Sequence, residues 1–295
     1  VVWSRHREAH GRDPLVHLRL FEVLPLRSGL VGLLTQNLVL MGVFFVVPLY
    51  LQLVIGLDAL DTGLRMLPIS ITMFLFSAIG SRLSARVSVR TIVRTGLAVS
   101  TLAIVVLIAT VDAQLNDLGF AVSMALLGVG MGLIVSQLGN VVQSSVDASG
   151  RGEAGGLQYT GQQLGSSVGV ALIGAIVLAG LTNVFVRTID ADERIAPEVA
   201  QQVSTAAGNG VDFVASDDLA AAATDAGIDE QSADALVDDY EQAQLRALKT
   251  GLLVTGVLAL LSLMSTRHLP ATVTAGDDDR EDDPVGDDPV GADPL

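Results

Sequence analysis

The feature that most constrains this chain is a stretch of thirty-three residues, Ala154 to Val186, without a single Asp, Glu, Lys, Arg or His. About twenty mostly apolar residues suffice for a helix to cross the hydrocarbon core of a bilayer. Glycines recur within the stretch at Gly161, Gly165 and Gly169, which places them on one strip of a helix. Because small residues let helix backbones approach closely in lipid, the stretch predicts a transmembrane helix packed tightly against others.

The composition of the whole chain favours several such helices. Half of the 295 residues are apolar and 17% are charged, whereas about a quarter of the residues of a soluble domain are charged. The apolar residues form long blocks without an alternating pattern. There is no cysteine, so no disulfide or thiolate metal site is proposed. The sequence therefore predicts an all-α integral membrane protein.

Six blocks of apolar residues predict six transmembrane helices. Pro48 would kink the first, and Pro68, near the start of the second, is interpreted as a first-turn proline. In the fourth block, Gly128 and Gly132 begin a strip of small and then polar residues at four-residue intervals, which suits close helix packing. The predicted spans are about 28–55, 64–81, 93–111, 118–142, 160–186 and 248–266.

Three hydrophilic segments flank or interrupt these spans: a connector at 1–27, a loop at 187–246 and a tail at 269–295. Fourteen acidic residues lie between Asp190 and Glu241 and nine between Asp277 and Asp293, which is 23 of the 32 in the chain. The net charge of −15 therefore belongs to one loop and one tail. It predicts no nucleic-acid partner, which would require clustered positive charge. Like charge and low hydrophobicity predict a disordered tail.

The short basic loops predict the orientation in the membrane. Arg82, Arg86, Arg90 and Arg94 lie between the second and third spans without an acidic residue, and five further arginines precede the first span. Basic short loops face the cytoplasm. We therefore expect a multi-pass protein of the cell (plasma) membrane, with both ends of this chain cytoplasmic and the acidic loop outside.

Two segments carry a resemblance to a known family. PLYLQLVIGLDALDTGLRMLP (48–68) resembles the entry to the C-terminal six-helix half of a major facilitator superfamily transporter, in particular of the fourteen-span drug:proton antiporter group. GGLQYTGQQLGSSVGVALIGAI (155–176) resembles the glycine-rich penultimate helix of that group. The resemblance extends from about residue 13 to residue 266. It implies that the six spans form the C-terminal half-bundle of such a transporter.

The resemblance also implies partners and a mechanism. The chain starts without an initiator Met, so we expect it to begin partway through a longer protein. The resemblance implies that eight further spans, including the N-terminal half, lie upstream. Two six-helix halves would enclose a cavity near the bilayer midplane and expose it alternately to either side. Small lipophilic or cationic compounds and protons are the implied substrates, and the lipid bilayer surrounds the protein. No cofactor is implied.

The loop after the second span resembles a cytoplasmic gating loop of the superfamily. The matching residues include the gating candidates and one leucine: Gly80, Arg82, Leu83, Arg86 and Arg90. Ala85 stands where the family carries an acid, and Ser88 where it carries a glycine. Without that carboxylate the family's inter-helix ion pair cannot form, so plain positive-inside arginines remain an alternative.

Polar residues within the spans are candidates for a substrate cavity, because amides bind a ligand without requiring charge and apolar walls suit lipophilic compounds. The candidates are Gln36, Asn37, Gln52, Gln137, Asn140, Tyr159, Gln162 and Gln163. The alternative is that these amides bridge helices. The glycines assigned to helix packing are Gly128, Gly132, Gly161, Gly165 and Gly169. No span carries an ionisable residue in its interior, so a proton-coupling acid is expected in the missing half.

Other functions remain open at this stage. The same fold serves uptake or metabolite permeases, and six spans also suit a membrane subunit that does not transport. An enzyme is not predicted, because no nucleophile–base pair is evident. His6 and His10 are four residues apart but lack a third ligand, so no metal site is predicted. The acidic loop is interpreted as a solvated loop, or as a means of gathering cations near the membrane.

Overall fold

The computed structural model of the chain describes residues 18–207, 211 and 213–266. The pair His6 and His10, the first part of the predicted connector and the predicted acidic tail lie outside the described residues. All regular elements of the described part are helical. Six helices are long and apolar enough to cross a membrane. The predicted all-α membrane fold with six spanning helices is confirmed.

Eight α-helices make up the described part, and the six long ones overlap the predicted spans. The six long ones are α1 (Leu24–Leu49), α2 (Ala59–Leu83), α3 (Val89–Thr110), α4 (Asp117–Ser144), α5 (Arg151–Ile189) and α8 (Glu230–Ser265). Two short ones, α6 (Pro197–Ala207) and α7 (Ser216–Asp225), lie in the acidic segment between α5 and α8. Both α5 and α8 extend well beyond the spans 160–186 and 248–266.

Side-chain caps fix where several of these helices begin. The first N–H groups of a helix have no partner within it, and short polar side chains at the N-cap accept from them. Asp58, Ser88, Asn116 and Asp229 do so at the starts of α2, α3, α4 and α8. Because the Asp58 cap starts α2 at Ala59, Pro68 lies inside that helix. The interpretation of Pro68 as a first-turn proline is therefore wrong.

Five of the long helices pack around shared neighbours, and the sixth stands at one edge. The first helix contacts α4, α5 and α8, and α3 contacts α4 and α8. By contrast, α2 packs mainly on α4, and α2 and α5 do not pack against each other. In an 18-residue apolar stretch of each spanning helix, only 11% of the residues of α2 and 28% of those of α5 are buried. The corresponding share is 44% to 56% in the other four helices. The faces of α2 and α5 are therefore the most open of the bundle.

Glycines permit close approach of the helix backbones at two of the seams between helices. At the α2–α4 seam, a Cβ added to Gly132 would lie 2.5 Å from the carbonyl oxygen of Met73, and one added to Gly128 would collide with that of Ile69. At the α1–α5 seam, a Cβ on Gly169 would lie 2.5 Å from the carbonyl oxygen of Leu38. Larger side chains would therefore force these helix backbones apart.

The two ends of the bundle differ in charge. We call the end where α2 passes to α3 the arginine end, and the end where α5 passes to α6 and onward to α8 the acidic end. At the acidic end, α1 continues through a wide π-helical turn, Tyr50–Val54, which begins two residues after Pro48. The buried Tyr50 hydroxyl donates to the carbonyl oxygen of Asp112 at 2.8 Å, which fixes this turn to the segment between α3 and α4.

Candidate functional site

The structure divides the eight polar candidates by burial. Two are buried, Gln36 and Gln137, and Asn37 and Gln162 are half-buried. The other four are exposed: Gln52, Asn140, Tyr159 and Gln163. They stand on α1 with its π-turn, on α4 and on α5.

Gln137 uses its amide to join two helices. Its Nε2 donates to the carbonyl oxygen of Gly80 on α2 at 2.9 Å and to the Ser136 hydroxyl at 2.9 Å. The residue is 1% exposed. The same seam carries a second inter-helix bond, from the Thr72 hydroxyl to the carbonyl oxygen of Ala125. Gln137 thus matches the helix-bridging alternative, because none of it is open to a ligand.

The two candidates on α1 behave differently from each other. Asn37 donates to the carbonyl oxygen of Leu33 at 2.9 Å, within its own helix. Gln36 is 4% exposed, and its Oε1 is buried without a hydrogen-bond partner in the described part of the chain. An unpaired buried amide oxygen is costly. Gln36 is therefore the one buried candidate whose acceptor remains available.

The fifth helix presents two faces of opposite character. Its buried ridge runs at four-residue intervals from Gly165 through Gly169 to Ile189 and packs on α1 and α8. Its exposed face carries large apolar side chains, among them Leu164, Val168 and Leu172. Beside them runs a stripe that repeats every four residues and is small or polar throughout. The stripe consists of Gln163, Ser167, Ala171, Ala175, Ala179 and Asn183.

Sequence reasoning missed an amide pair between α4 and α5 in its list of candidates. Gln143 donates from Nε2 to Oε1 of Gln158 at 3.3 Å. The pair lies near the turn that joins the two helices, at the arginine end. Nothing in the spacing of two residues on different helices indicates such a bond.

At the arginine end, two of the gating-loop candidates, Arg82 and Arg86, form no ion pair within the described residues. Arg82 and Arg86 are exposed, and so is Ala85, where the family's acid would stand. Arg90 is half-buried and is engaged in an interaction. Gly80 is buried and accepts the bond from Gln137, so the α2–α4 link at this end is an amide-to-carbonyl hydrogen bond.

One of the cavities within the described bundle is very small. A cavity between α1, α3, α4 and α8, bounded in part by Gly32, Leu97 and Ser262, has a volume of about 10 Å³. A pocket of about 860 Å³ opens outside the bundle, between the end of α5 and α6. Among the described residues, no group of three or more His, Cys, Asp or Glu side chains is placed to hold a metal ion.

Comparison with known proteins identifies related sequences. The chain is 28% identical to the tetracenomycin C resistance and export protein of Streptomyces glaucescens, over 61% of this chain and 33% of that protein. It is 26% identical to the multidrug efflux pump LfrA of Mycolicibacterium smegmatis, over 74% and 42%, respectively. It is 25% identical to the multidrug transporter protein MdtP of Bacillus subtilis, over 60% and 32%.

The chain therefore spans about a third to two fifths of the length of these relatives. Its residues 3–170, more than half of the chain, match the family model of the Major Facilitator Superfamily. The match and the relatives confirm the resemblance, predicted from residues 48–68 and 155–176, to a protein of the superfamily's drug:proton antiporter type. The chain belongs to the Major Facilitator Superfamily.

Proposed function

We propose that this chain is the C-terminal half-bundle of a secondary transporter that exports small lipophilic or cationic compounds in exchange for protons by alternating access. The observation that carries the proposal is the set of relatives, whose names describe resistance, export and multidrug efflux. The membership of the superfamily supplies the mechanism, in which two half-bundles rock about a central site.

The open faces of the bundle support a missing second half. The least buried spans, α2 and α5, do not pack against each other. The exposed stripe of α5, from Gln163 to Asn183, is small and polar. In a membrane, small residues favour contact with another helix. We infer that the N-terminal half covers these faces and closes one side of the substrate cavity.

Seven of the eight polar candidates remain available as cavity residues, since Gln137 is committed to the α2–α4 seam. Asn140 on α4 and Gln162 on α5 are the preferred pair, because each abuts a strip of small residues. Gln36 supplies an unpaired acceptor. Amides of this kind orient a substrate by hydrogen bonds, while the apolar walls of the helices bind its lipophilic part.

Proton coupling and orientation are further parts of the proposal. The apolar interiors of the six spans carry no ionisable residue, and an intramembrane acid is the usual proton carrier in transporters. The acid is therefore assigned to the other half. The positive-inside rule places the arginine end in the cytoplasm and the acidic end outside, in the cell (plasma) membrane.

The test is export of a fluorescent lipophilic cation from cells that express the full-length gene product. Replacing both Asn140 and Gln162 by Leu is expected to lower the initial export rate at least several-fold while the amount of protein in the membrane stays constant. The matched control replaces Gln201 and Gln202, two exposed amides on α6, by Leu and is expected to export normally.

Three outcomes would contradict parts of the proposal. Unchanged export by the double variant would remove the two amides from the cavity. Faster dye accumulation in expressing cells would favour an uptake permease of the same fold. No dye flux in either direction would favour a membrane subunit without transport activity.

A further inference from the structure

The acidic segment between α5 and α8 is pinned to both helices by a short strap, residues 211 and 213–215. The Val211 N–H donates to the Thr182 hydroxyl of α5 at 3.2 Å. On the other side, the Val214 N–H donates to the Tyr240 hydroxyl of α8 at 2.8 Å, and Gln244 donates from Nε2 to the Val214 carbonyl oxygen at 2.6 Å. The strap therefore bridges the outer parts of α5 and α8.

The helices beneath the strap are in direct contact. The rings of Phe185 on α5 and Tyr240 on α8 pack edge to face, with centroids 5.3 Å apart. Both rings are buried, as is Gln244. The strap can stay in place only while the charged first half of α8 remains docked against the end of α5, because Tyr240 and Gln244 hold its backbone.

A carboxyl group lies on this docked face of α8. Asp239 directly precedes Tyr240 and is 2% exposed, and its buried Oδ2 has no hydrogen-bond partner in the described part of the chain. One turn away on either side are the buried alanines Ala235 and Ala243. An ionised carboxylate in such surroundings is strongly disfavoured, whereas a neutral one is tolerated.

The surrounding charges do not compensate Asp239. The turn between α5 and α6 brings Asp192 and Arg194, and α8 itself adds Asp238 and Arg246. Arg194 is already engaged: it contacts Asp192 at 2.7 Å and Asp238 at 2.8 Å. The other packed element, α7, carries only acidic charges: Asp217, Asp218 and Asp225.

We propose that Asp239 is a proton-binding site that controls the strap: the protonated carboxyl keeps α8 docked and the strap closed, and ionisation releases both. To hydrate a charged carboxylate, the first half of α8 has to move away from the end of α5. That movement separates Tyr240 and Gln244 from Val214. The ligand is the proton itself, bound at the acidic end and outside the apolar part of the bundle.

The direction of the pH effect follows from the position of the group. Asp239 lies in the charged first half of α8, before the apolar stretch that begins at Thr250. Burial raises the pKa of Asp239, and the charge of Asp192 raises it further, against a smaller opposing effect of Arg194. A carboxyl whose pKa is higher in the docked state stabilises docking at low pH, and this stability is lost as the pH rises through the raised pKa. The strap is therefore closed in acid and opens towards alkaline pH.

Thiol labelling in the full-length gene product tests this, and the present chain has no cysteine of its own. The labelling rate of Val214→Cys measures how accessible the half-buried strap is. The labelling rate of Ala221→Cys, on an exposed part of α7, measures how the thiol reaction itself depends on pH. A water-soluble methanethiosulfonate is applied to protein in lipid vesicles over a pH series that begins near the ordinary pKa of an aspartate, about 4. The ratio of the two rates is expected to rise with pH, by up to about tenfold per unit for one linked proton.

Asp239→Asn keeps the shape of the side chain and removes the titration. In this variant the ratio is expected to stay low and constant with pH. A ratio that changes with pH to the same extent in Asp239→Asn, or one that is constant when Asp239 is present, would overturn the proposal.

A second variant keeps the test decisive if Asp239→Asn does not insert into the membrane. Asp192→Asn removes the repelling charge and frees Arg194, so it is expected to move the labelling transition to lower pH. A transition that does not move would also overturn the proposal. The readout requires no transport, so its failure is distinguishable from a failure of the proposed function.

Discussion

At the scale of single residues, two glycines on the same strip of α5 differ in how much they constrain the fold. A Cβ added to Gly165 would collide with the carbonyl oxygen of Leu34 on α1, whereas one on Gly161 would lie 3.7 Å from that of Leu30. Backbone cannot move aside as the end of a flexible side chain can. The α1–α5 seam is therefore closed at Gly165 and relaxed at Gly161.

This difference predicts opposite tolerance to alanine. Gly165→Ala is expected to destabilise the protein by about 1–3 kcal/mol, because overpacking forces the backbones of α1 and α5 apart. Gly161→Ala, the matched control one turn earlier, is expected to be neutral or slightly stabilising. Thermal unfolding of the detergent-solubilised protein measures both, and equal midpoints would contradict the interpretation of the seam.

Exposure of individual polar residues could not be predicted from the sequence. Gln137 and Asn140 are three residues apart on α4, yet one is buried in the α2–α4 seam and the other is exposed. Small, polar and apolar residues are mixed around them, so the pattern does not reveal which face meets another helix. The bond from Gln137 to Gly80 spans 57 positions, and no local signal specifies it.

At the scale of elements, α8 combines two functions in one continuous helix. Its second half is an apolar span, and its first half is charged and holds the strap through Tyr240 and Gln244. The sequence predicted the span from its lack of charge. It did not predict that the helix begins at Glu230, because the docked face of the first half, with Ala235, Asp239 and Ala243, is not strongly apolar.

The hydroxyl of Tyr240 provides a separate test of this element. Tyr240→Phe keeps the ring contact with Phe185 and removes the hydrogen bond to Val214. Labelling of Val214→Cys is expected to become several-fold faster at low pH, where the strap is closed, because one of the two bonds from α8 to the strap backbone is lost. Tyr159→Phe, at a tyrosine that is 64% exposed, is the control and is expected to leave the rate unchanged. Equal rates in both variants would show that the strap does not depend on this bond.

At the scale of the whole molecule, the described bundle is open on the faces of α2 and α5. Uncharged blocks were sufficient to predict six spanning helices, and two sequence segments were sufficient to predict the family. The arrangement of the helices around one another depends on non-local contacts such as the glycine seams. The exposed stripe of α5 emerges only from that arrangement, since Ser167 and Gly169 are close in sequence but lie on opposite sides of the helix.

The proposed second half predicts that this stripe is sensitive to bulk. Ala171→Phe and Ala175→Phe are expected to reduce export by the full-length gene product and to weaken co-purification of separately expressed halves, because large rings would hold the helices apart. Leu253→Phe, at an exposed leucine of α8, is the control and is expected to be tolerated. Normal export and assembly of all three variants would indicate that the α5 stripe faces lipid.

The wide turn at the end of α1 has a mechanical consequence. Pro48 supplies no N–H to the helix, and the π-turn that follows loosens the regular bonding of its last residues. Tyr50 nevertheless anchors this compliant part to the backbone of Asp112 through two hydrogen bonds. When α1 tilts, we expect the helix to bend near Pro48 and the π-turn, where its backbone bonding is weakest. The Tyr50 side chain stays fixed to Asp112, so the rest of α1 moves relative to that point.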